Sequence, residues 1–218
     1  MPNWSLAYHI SAKSRKRKYE QFLKLILPNK EETILDVGVN TEEYSDTDNY
    51  LEKFYSFPEN ITAVGLGDFS EFQKRYPKVR VLQTDGRALP FTENEFSIVY
   101  SNAVIEHVGN DTDQVRFLEE LYRVSTRGYI TTPNRLFPIE VHTRIPLLHV
   151  LLPKNIFDVV LRSIGKSWAA GDYMNLLSER DLRERLQKAG ITSYTVIKNR
   201  FFGLPMTFTV VWNKTQVA

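Results

Sequence analysis

Short apolar runs alternate with amphipathic segments along the first 134 residues of the chain. The apolar runs are four to six residues long and rich in β-branched side chains, which is typical of buried strands. Their alternation with helical segments indicates a parallel sheet with helices on both faces. Five strands are predicted: TILDV (33–37), ITAVGL (61–66), VRVLQ (79–83), FSIVYS (96–101) and YITT (129–132).

An amphipathic helix is predicted before the first strand, over residues 14–27. Tyr19, Phe22, Leu23 and Ile26 recur at helical spacing and form its apolar face. The opposite face is basic.

Further helices are predicted between the strands, over residues 47–56, 69–76 and 111–125. In the third of these, Asp111 is expected to cap the N-terminus. Its buried stripe is expected to consist of Val115, Leu118, Leu121 and Tyr122.

The last third of the chain has a different pattern. Residues 133–177 hold several prolines and aromatic residues with weak periodicity, which predicts a lid or insertion. A well-marked helix follows, with Ser178 as its cap and Gly190 at its end. The stretches TSYTVIKNRFF and MTFTVVWNK predict a terminal hairpin, with GLP in the connection. We therefore expect a single domain over residues 1–218.

The composition is that of an ordinary globular protein, with 42% hydrophobic residues, 25% charged residues and a net charge of +2. The absence of cysteine excludes disulfides, thiolate zinc sites and a cysteine nucleophile. No apolar run is long enough to predict a membrane span, and the N-terminus lacks the pattern of a secretory signal. We therefore expect a cytoplasmic protein.

The first predicted strand runs into the sequence ILDVGVN (34–40). Asp36 closes the apolar run, Gly38 opens a turn, and Asn40 follows it. Glycine lets the backbone approach a ligand closely, and a following helix offers free N–H groups. Such turns are also common as plain connections in α/β proteins. The motif alone therefore leaves a cofactor loop and a structural turn both open.

The residues after the other strands are informative because ligands of open parallel sheets bind beyond the carboxyl ends of the strands. Gly67 and Asp68 follow the second strand, QTDGRALPF the third and YSNAVIEHV the fourth. Together these motifs resemble the class I S-adenosylmethionine-dependent methyltransferases, in particular the group with D-x-x-x-L-P-F and E-H-V. The resemblance extends from about Thr33 to Asn134, and TDGRALPFTENEFSIVYSNAVIEHV is its most specific part.

The resemblance implies a Rossmann-like α/β fold. Its seven-stranded sheet would be mostly parallel, with the last strand antiparallel and helices on both faces. It also implies S-adenosylmethionine as the cofactor and methyl transfer as the reaction. Asp36 and Gly38 would line the methionine end of the cofactor, where the first motif of the family lies, with Asn40 completing the turn.

The resemblance also assigns roles after the third and fourth strands. Asp85 would accept a hydrogen bond from the adenine amino group, with Gly86 and Arg87 beside the ring. Ser101 and Asn102 would face the cofactor near its sulfonium.

Three positions depart from the family pattern. Asn40 stands where a third small residue is usual, and asparagine tolerates the left-handed conformation better than most residues. The acid that binds the ribose normally ends the second strand, where this chain has Gly67 and then Asp68 one position later. A shift of one residue turns a strand side chain to the opposite face, so Asp68 would reach the ribose only where the backbone at the strand end compensates for the shift. Ser97 stands where an aspartate is usual.

The methyl acceptor is inferred by exclusion. The Asn/Asp-Pro-Pro-aromatic signature of many amino-methylating enzymes is absent, since TTPN lacks the second proline and the aromatic residue. The absence of cysteine excludes attack on a pyrimidine ring. We therefore expect O-methylation of a small-molecule, glycan or lipid-linked acceptor.

Two histidines are candidates for the general base. His142 lies near Glu140 in the proline-rich segment after the fifth strand, and His107 follows Glu106 after the fourth. Either histidine could instead have a structural role. The spacing of these residues predicts no metal site.

Partners are the least determined property. The segment 144–168 mixes apolar and basic residues, so it predicts either a lid packed on the sheet or a contact with a membrane surface. The basic block Arg15–Lys18 predicts a solvated helix face, with an anionic partner or a membrane surface as alternatives. RNA methylation is an alternative function, although the small net charge argues against nucleic acid. A non-catalytic scaffold with the same fold is another, motivated by Asn40 and Gly67.

Overall fold

The computed structural model describes residues 6–43, 45–139, 143, 145–171 and 174–215. These residues are built around one seven-stranded sheet. The strands are β1 (Ile34–Val37), β2 (Ile61–Gly65), β3 (Arg80–Gln83), β4 (Phe96–Asn102), β5 (Ser125–Pro133), β6 (Tyr194–Phe201) and β7 (Leu204–Asn213).

The strand order in the sheet is β3-β2-β1-β4-β5-β7-β6. β1 pairs in parallel with both β2 and β4, so the chain reverses its direction of winding between β1 and β4. β7 is antiparallel to both of its neighbours, β5 and β6. The predicted sheet, mostly parallel with an antiparallel last strand, is therefore confirmed. The switch point between β1 and β4 is where such sheets bind ligands.

Helices cover both faces of this sheet because the buried strands are apolar on both sides. Leu35 and Val37 pack with Leu118 and Leu121 on one face, whereas Ile34 packs with the N-terminal helix on the other. The helices are α1 (Leu6–Ile26), α2 (Tyr50–Phe54), α3 (Ser70–Arg75), α4 (Asp111–Val124), α5 (Leu148–Leu151), α6 (Lys154–Ser163) and α7 (Glu179–Lys188).

The N-terminal helix α1 is longer than predicted but packs as predicted. Tyr19, Phe22 and Ile26 are buried against the sheet. The ring of Phe22 contacts Tyr100 and Tyr129 edge-on, with centroids 5.1 and 5.4 Å away. These contacts hold α1 against the central strands β4 and β5.

The start of α4 differs from the prediction by one residue. Asn110, not Asp111, is the cap, because Asn110 has extended backbone and its Oδ1 accepts from the N–H groups of Thr112 and Asp113 at 2.9 and 3.2 Å. The Asp113 carboxylate accepts in return from the Asn110 N–H, which completes a capping box. The predicted cap of α7, Ser178, is confirmed in the same geometry.

The segment 133–177 carries α5 and α6 as far as it is described. It has a small core of its own, formed by Ile145, Phe157, Leu161, Ala169 and Met174. Among the described residues, no helix is both long and apolar enough to cross a bilayer.

The terminal hairpin is confirmed, but its turn lies earlier than the GLP motif. Phe202 and Gly203 form the turn, both with positive φ, and Leu204 and Pro205 already belong to β7. This turn projects beyond the sheet edge on the same side as the carboxyl ends of β1 and β4, since β6 runs parallel to them.

Candidate active site

A cavity of about 1280 Å³ lies at the carboxyl ends of β1, β2, β3 and β4. The polar wall is formed by residues that follow these strands, and α1 closes one side. An apolar wall is formed by Phe137, Ile139, Phe201 and Met206. The predicted site residues that line the cavity are Asp36, Gly38, Asn40, Asp85, Gly86, Arg87, Asn102 and His107.

The turn after β1 brings the backbone to the cavity floor. Gly38 has φ of +94°, and its N–H donates to the carbonyl oxygen of Val64 at 2.9 Å. Asn40 is held by Asn49, whose side chain accepts from the Asn40 N–H and donates to the Asn40 carbonyl oxygen at 3.0 and 2.8 Å. The position that departs from the family pattern is therefore stabilised by a second asparagine.

Asp36 forms a carboxyl pair with Glu52 of α2. Both residues are buried, and both carboxylate oxygens of Glu52 lie out of contact with solvent. Burial, followed by the negative charge of Glu52, raises the pKa of Asp36 well above its usual range, and burial also raises the pKa of Glu52. The pair is therefore stable with one shared proton, because two buried carboxylates in contact repel each other.

Asp85 is oriented by Arg87 at the far end of the cavity. The Arg87 guanidinium donates to both carboxylate oxygens of Asp85 and also to Asp113 of α4, at 3.0 Å. The hydrogen bonds from Arg87 lower the pKa of Asp85, so it is a carboxylate at neutral pH. Gly86 packs so closely on Phe117 that a Cβ atom there would lie 2.6 Å from its ring.

Asp68 does not line the cavity, whereas Gly67 before it does. The Asp68 carboxylate accepts from the N–H and hydroxyl of Ser70 at 2.9 and 2.7 Å, which orders the start of α3. The residue after β2 that faces the cavity is thus a glycine. A ribose contact from Asp68 remains a prediction, and this geometry does not favour it.

The two predicted residues at the end of β4 have different surroundings. Ser101 is buried away from the cavity, and its hydroxyl donates to the carbonyl oxygen of Val37 at 2.9 Å, which ties β4 to β1. Asn102 lines the cavity, and its Oδ1 accepts from Thr131 at 2.7 Å and from Lys18 at 3.2 Å.

The candidate bases are only partly described. His107 lines the cavity, and the neighbouring Glu106 is fully buried with Oε2 accepting from Thr132 at 3.0 Å. His142 and Glu140 lie outside the described residues. Within the described ranges no group of acidic and histidine side chains could hold a metal ion.

Sequence reasoning missed the part of the site that comes from α1. Lys18 is buried and Arg15 half-buried, and both line the cavity instead of forming a solvated face. Arg15 donates to Asp48 and, at 3.1 Å, to Thr47, both in the segment after β1. The signal was present, since Arg15 and Lys18 continue the spacing of Phe22 and Ile26 on the buried face.

The sequence from residue 35 to residue 130 matches the model of a methyltransferase domain. No curated protein matches the sequence significantly. An S-adenosylmethionine-dependent methyltransferase from Thermotoga maritima superimposes with a TM-score of 0.58 at 16% identity, covering 97% of this chain and 93% of that one. One from Aquifex aeolicus gives a TM-score of 0.54 at 18% identity, covering 88% and 87%.

A protein from Galdieria sulphuraria gives a TM-score of 0.57 at 13% identity, covering 87% of this chain. The chain spans 63% of the length of that protein. At identities this low, the superpositions show a shared fold and no more. The match to the domain model covers residues 35–130, which include β1 to β4 and β5 as far as Ile130. The segment 35–130 is therefore similar to a methyltransferase domain, and the chain has the fold of the S-adenosylmethionine-dependent methyltransferases.

Proposed function

We propose that this protein transfers the methyl group of S-adenosylmethionine to a hydroxyl of a small-molecule, glycan or lipid-linked acceptor. The observation that supports the proposal is the large cavity at the switch point of the sheet. Polar residues from β1, β3 and β4 line one side of it, and aromatic and aliphatic residues line the other. A cofactor with charged and polar ends fits the first side, and an acceptor with an apolar part fits the second.

The residues present fit the cofactor at both of its ends. The close approach of backbone at Gly38 and the acidic pair of Asp36 and Glu52 suit an amino group at the methionine end. At the other end, Asp85 is fixed as a carboxylate and can accept from the adenine amino group. When bound, the cofactor supplies a methyl group activated by positively charged sulfur.

The acceptor side is apolar and opens toward the lid segment. Phe137 and Phe201 have ring centroids 6.4 Å apart at the border between that segment and the terminal hairpin. The same cavity is lined by Met206, which is buried, and by Ile139, which is exposed. An acceptor held here would be partly shielded from water, which strengthens the electrostatic contacts of its polar groups.

The proposal is tested by calorimetric titration with S-adenosylhomocysteine. Wild-type protein is expected to bind with micromolar affinity, and Asp85→Ala is expected to lose about tenfold or more, because a charge-assisted hydrogen bond is removed. The matched control is Asp68→Ala, which removes an equivalent carboxylate outside the cavity. Absence of binding to the wild type would contradict the proposal and favour the scaffold function.

We further propose that the protein touches a membrane surface at the tip of the terminal hairpin, beside the cavity mouth. Phe202 is 91% exposed at the tip, and Arg200 donates to the carbonyl oxygen of Gly203 at 2.6 Å. An exposed aromatic ring next to a guanidinium suits the interface of an anionic bilayer. Lipid-linked acceptors would then reach the cavity from this side.

The alternative function, RNA methylation, depends on the basic block of α1 being free to contact RNA. Two of the four cations in the basic block, Arg15 and Lys18, face the cavity. Lys16 and Arg17 stay exposed, and Lys16 lies 3.8 Å from Glu20. Within this block, only Lys16 and Arg17 are therefore exposed to a phosphate backbone.

A further inference from the structure

Lys18 is a buried amine in the wall of the cavity. Its side chain is 8% exposed and faces the cavity from α1. The backbone at this point is fixed, because the Tyr129 hydroxyl donates to the carbonyl oxygen of Lys18 at 2.8 Å. The helix turn that carries this amine is therefore held against β5.

The amine reaches the end of β4, where cofactor and acceptor are expected to meet. Lys18 Nζ donates to Asn102 Oδ1 at 3.2 Å, and the same oxygen accepts from Thr131. Asn102 lines the same cavity as the turn of Gly38 and the apolar residues Phe137 and Phe201.

The surroundings of Lys18 disfavour a positive charge. Burial is the largest cause that lowers its pKa, to about 8, and Arg15 on the same helix acts in the same direction. Glu106, which follows β4, opposes this shift. Arg15 is itself paired with Asp48, and His107 lines the same cavity from the segment after β4. A further positive charge in the cavity would lower the pKa of Lys18 again.

We propose that Lys18 is the general base of the transfer and takes the proton of the acceptor hydroxyl on Nζ. The inference rests on the proposed function. In the step, the acceptor O–H bond breaks with its proton passing to Nζ. An O–CH₃ bond forms as the C–S bond breaks, and the electron pair of that bond remains on sulfur. The positive charge thus moves from sulfur to the lysine, and the cavity holds one such charge before and after.

The basicity of Lys18 also indicates which class of acceptor hydroxyl it can deprotonate. An amine of this basicity removes a proton effectively from an acidic hydroxyl such as a phenol, whose pKa is about 10, and poorly from an alcohol. The aromatic wall of Phe137 and Phe201 suits a ring of that kind.

The experiment measures how cofactor binding depends on pH in the whole chain. S-adenosylmethionine and S-adenosylhomocysteine are titrated calorimetrically into wild type, Lys18→Met and Lys18→Arg between about pH 6.5 and 9. The ratio of the two affinities reports the effect of the positive charge on sulfur, because both ligands carry the same amino acid and adenosine groups. In the wild type, the preference for S-adenosylmethionine should rise about tenfold as Lys18 loses its proton.

The variants separate charge from structure. Lys18→Met should show a ratio that changes much less with pH than that of the wild type, since it has no amine proton to release and only the raised pKa values of Asp36 and Glu52 then contribute. Lys18→Arg stays charged, so it should disfavour S-adenosylmethionine about tenfold at every pH. A wild-type ratio that does not change with pH, or that Lys18→Met reproduces, would overturn the inference. Failure of both ligands to bind wild type would instead overturn the proposed function.

A second measurement needs only the wild-type protein and therefore tests the inference even if the variants do not fold. Competitive acetylation at a series of pH values, followed by mass spectrometry, gives the pKa of each lysine. Lys18 should titrate near 8, and lower still with S-adenosylmethionine but not with S-adenosylhomocysteine. Exposed Lys24 on the same helix serves as the reference. An ordinary lysine pKa at Lys18 with both ligands would contradict the inference.

Discussion

A Cβ atom on Gly38 would lie 2.4 Å from Cγ2 of Val104. The turn after β1 and the segment after β4 therefore approach each other as closely as a glycine hydrogen allows. Gly38 also has φ of +94°, a conformation that side chains with a Cβ rarely adopt. Both segments line the cavity, so this contact sets the shape of its floor.

Gly38→Ala is expected to lose S-adenosylhomocysteine binding by about tenfold or more and to lower the free energy of unfolding by roughly 2 kcal/mol. The added methyl strains the backbone and displaces Val104. The matched control is Gly165→Ala, which has φ of +75° but no atom within 4 Å of its Cβ position. Calorimetry and chemical denaturation measure both effects. Equal losses in the two variants would show that backbone strain, and not the contact with Val104, is responsible.

The pair of Asp36 and Glu52 predicts a pH dependence of stability. Burial raises both pKa values in the folded protein, so the fold holds a proton that the unfolded chain releases. Stability from this source is fully present below the unfolded pKa values and is lost as the pH rises through the raised ones. Glu52→Gln removes the second charge and adds an amide donor for Asp36.

We therefore expect Glu52→Gln to be more stable than wild type by roughly 1–2 kcal/mol at about pH 8, and similar to it at about pH 4. Denaturant unfolding of the protein without cofactor, at several pH values, measures the difference. Glu59→Gln, at an exposed position, is the control and should follow the wild-type curve. Parallel curves for Glu52→Gln and wild type would show that the pair carries no shared proton.

Local pattern predicted the sheet, and eight of the predicted site residues line the cavity. Strand periodicity gave β1 to β5, and the residues after the strands placed Asp36, Gly38 and Asp85 in the cavity. The same reasoning could not predict that the side chains of Ser101 and Asp68 lie outside the cavity. The orientation of a side chain at a strand end depends on the last backbone dihedrals, and each of these two found a closer partner.

The missed residues, Glu52 and Lys18, come from helices that reach the site only through packing. Neither follows a strand, and charged residues on a helix normally lie at the surface. The depth of α1 is set by contacts of Phe22 with Tyr100 and Tyr129, which are distant in the sequence. Only the tertiary structure shows that the helix brings an amine to Asn102.

Ser101→Ala tests the separation of the two residues that end β4. The hydroxyl is buried and bonded to the Val37 carbonyl, so its loss should cost about 1 kcal/mol of stability. Affinity for S-adenosylhomocysteine should change by less than about twofold, because the side chain does not reach the cavity. Asn102→Ala is the comparison and should weaken binding more. A large loss of affinity in Ser101→Ala alone would restore its predicted cofactor contact.

The exposed hairpin tip predicts association with anionic vesicles. Phe202→Ser removes an aromatic ring that is 91% exposed and that contacts the ring of Phe201, with centroids 4.6 Å apart. Vesicle sedimentation should show wild type bound to phosphatidylserine-containing vesicles and the variant bound about tenfold more weakly, since burying a phenylalanine ring contributes roughly 1.5–3 kcal/mol. The matched control is Phe54→Ser, another exposed phenylalanine, which lies on α2. Because lipid contact needs no cofactor, S-adenosylhomocysteine affinity should be the same in all three proteins. Equal binding of the three would show that the hairpin tip is not the membrane contact, and failure of the wild type to sediment with the vesicles would remove the membrane from the proposal.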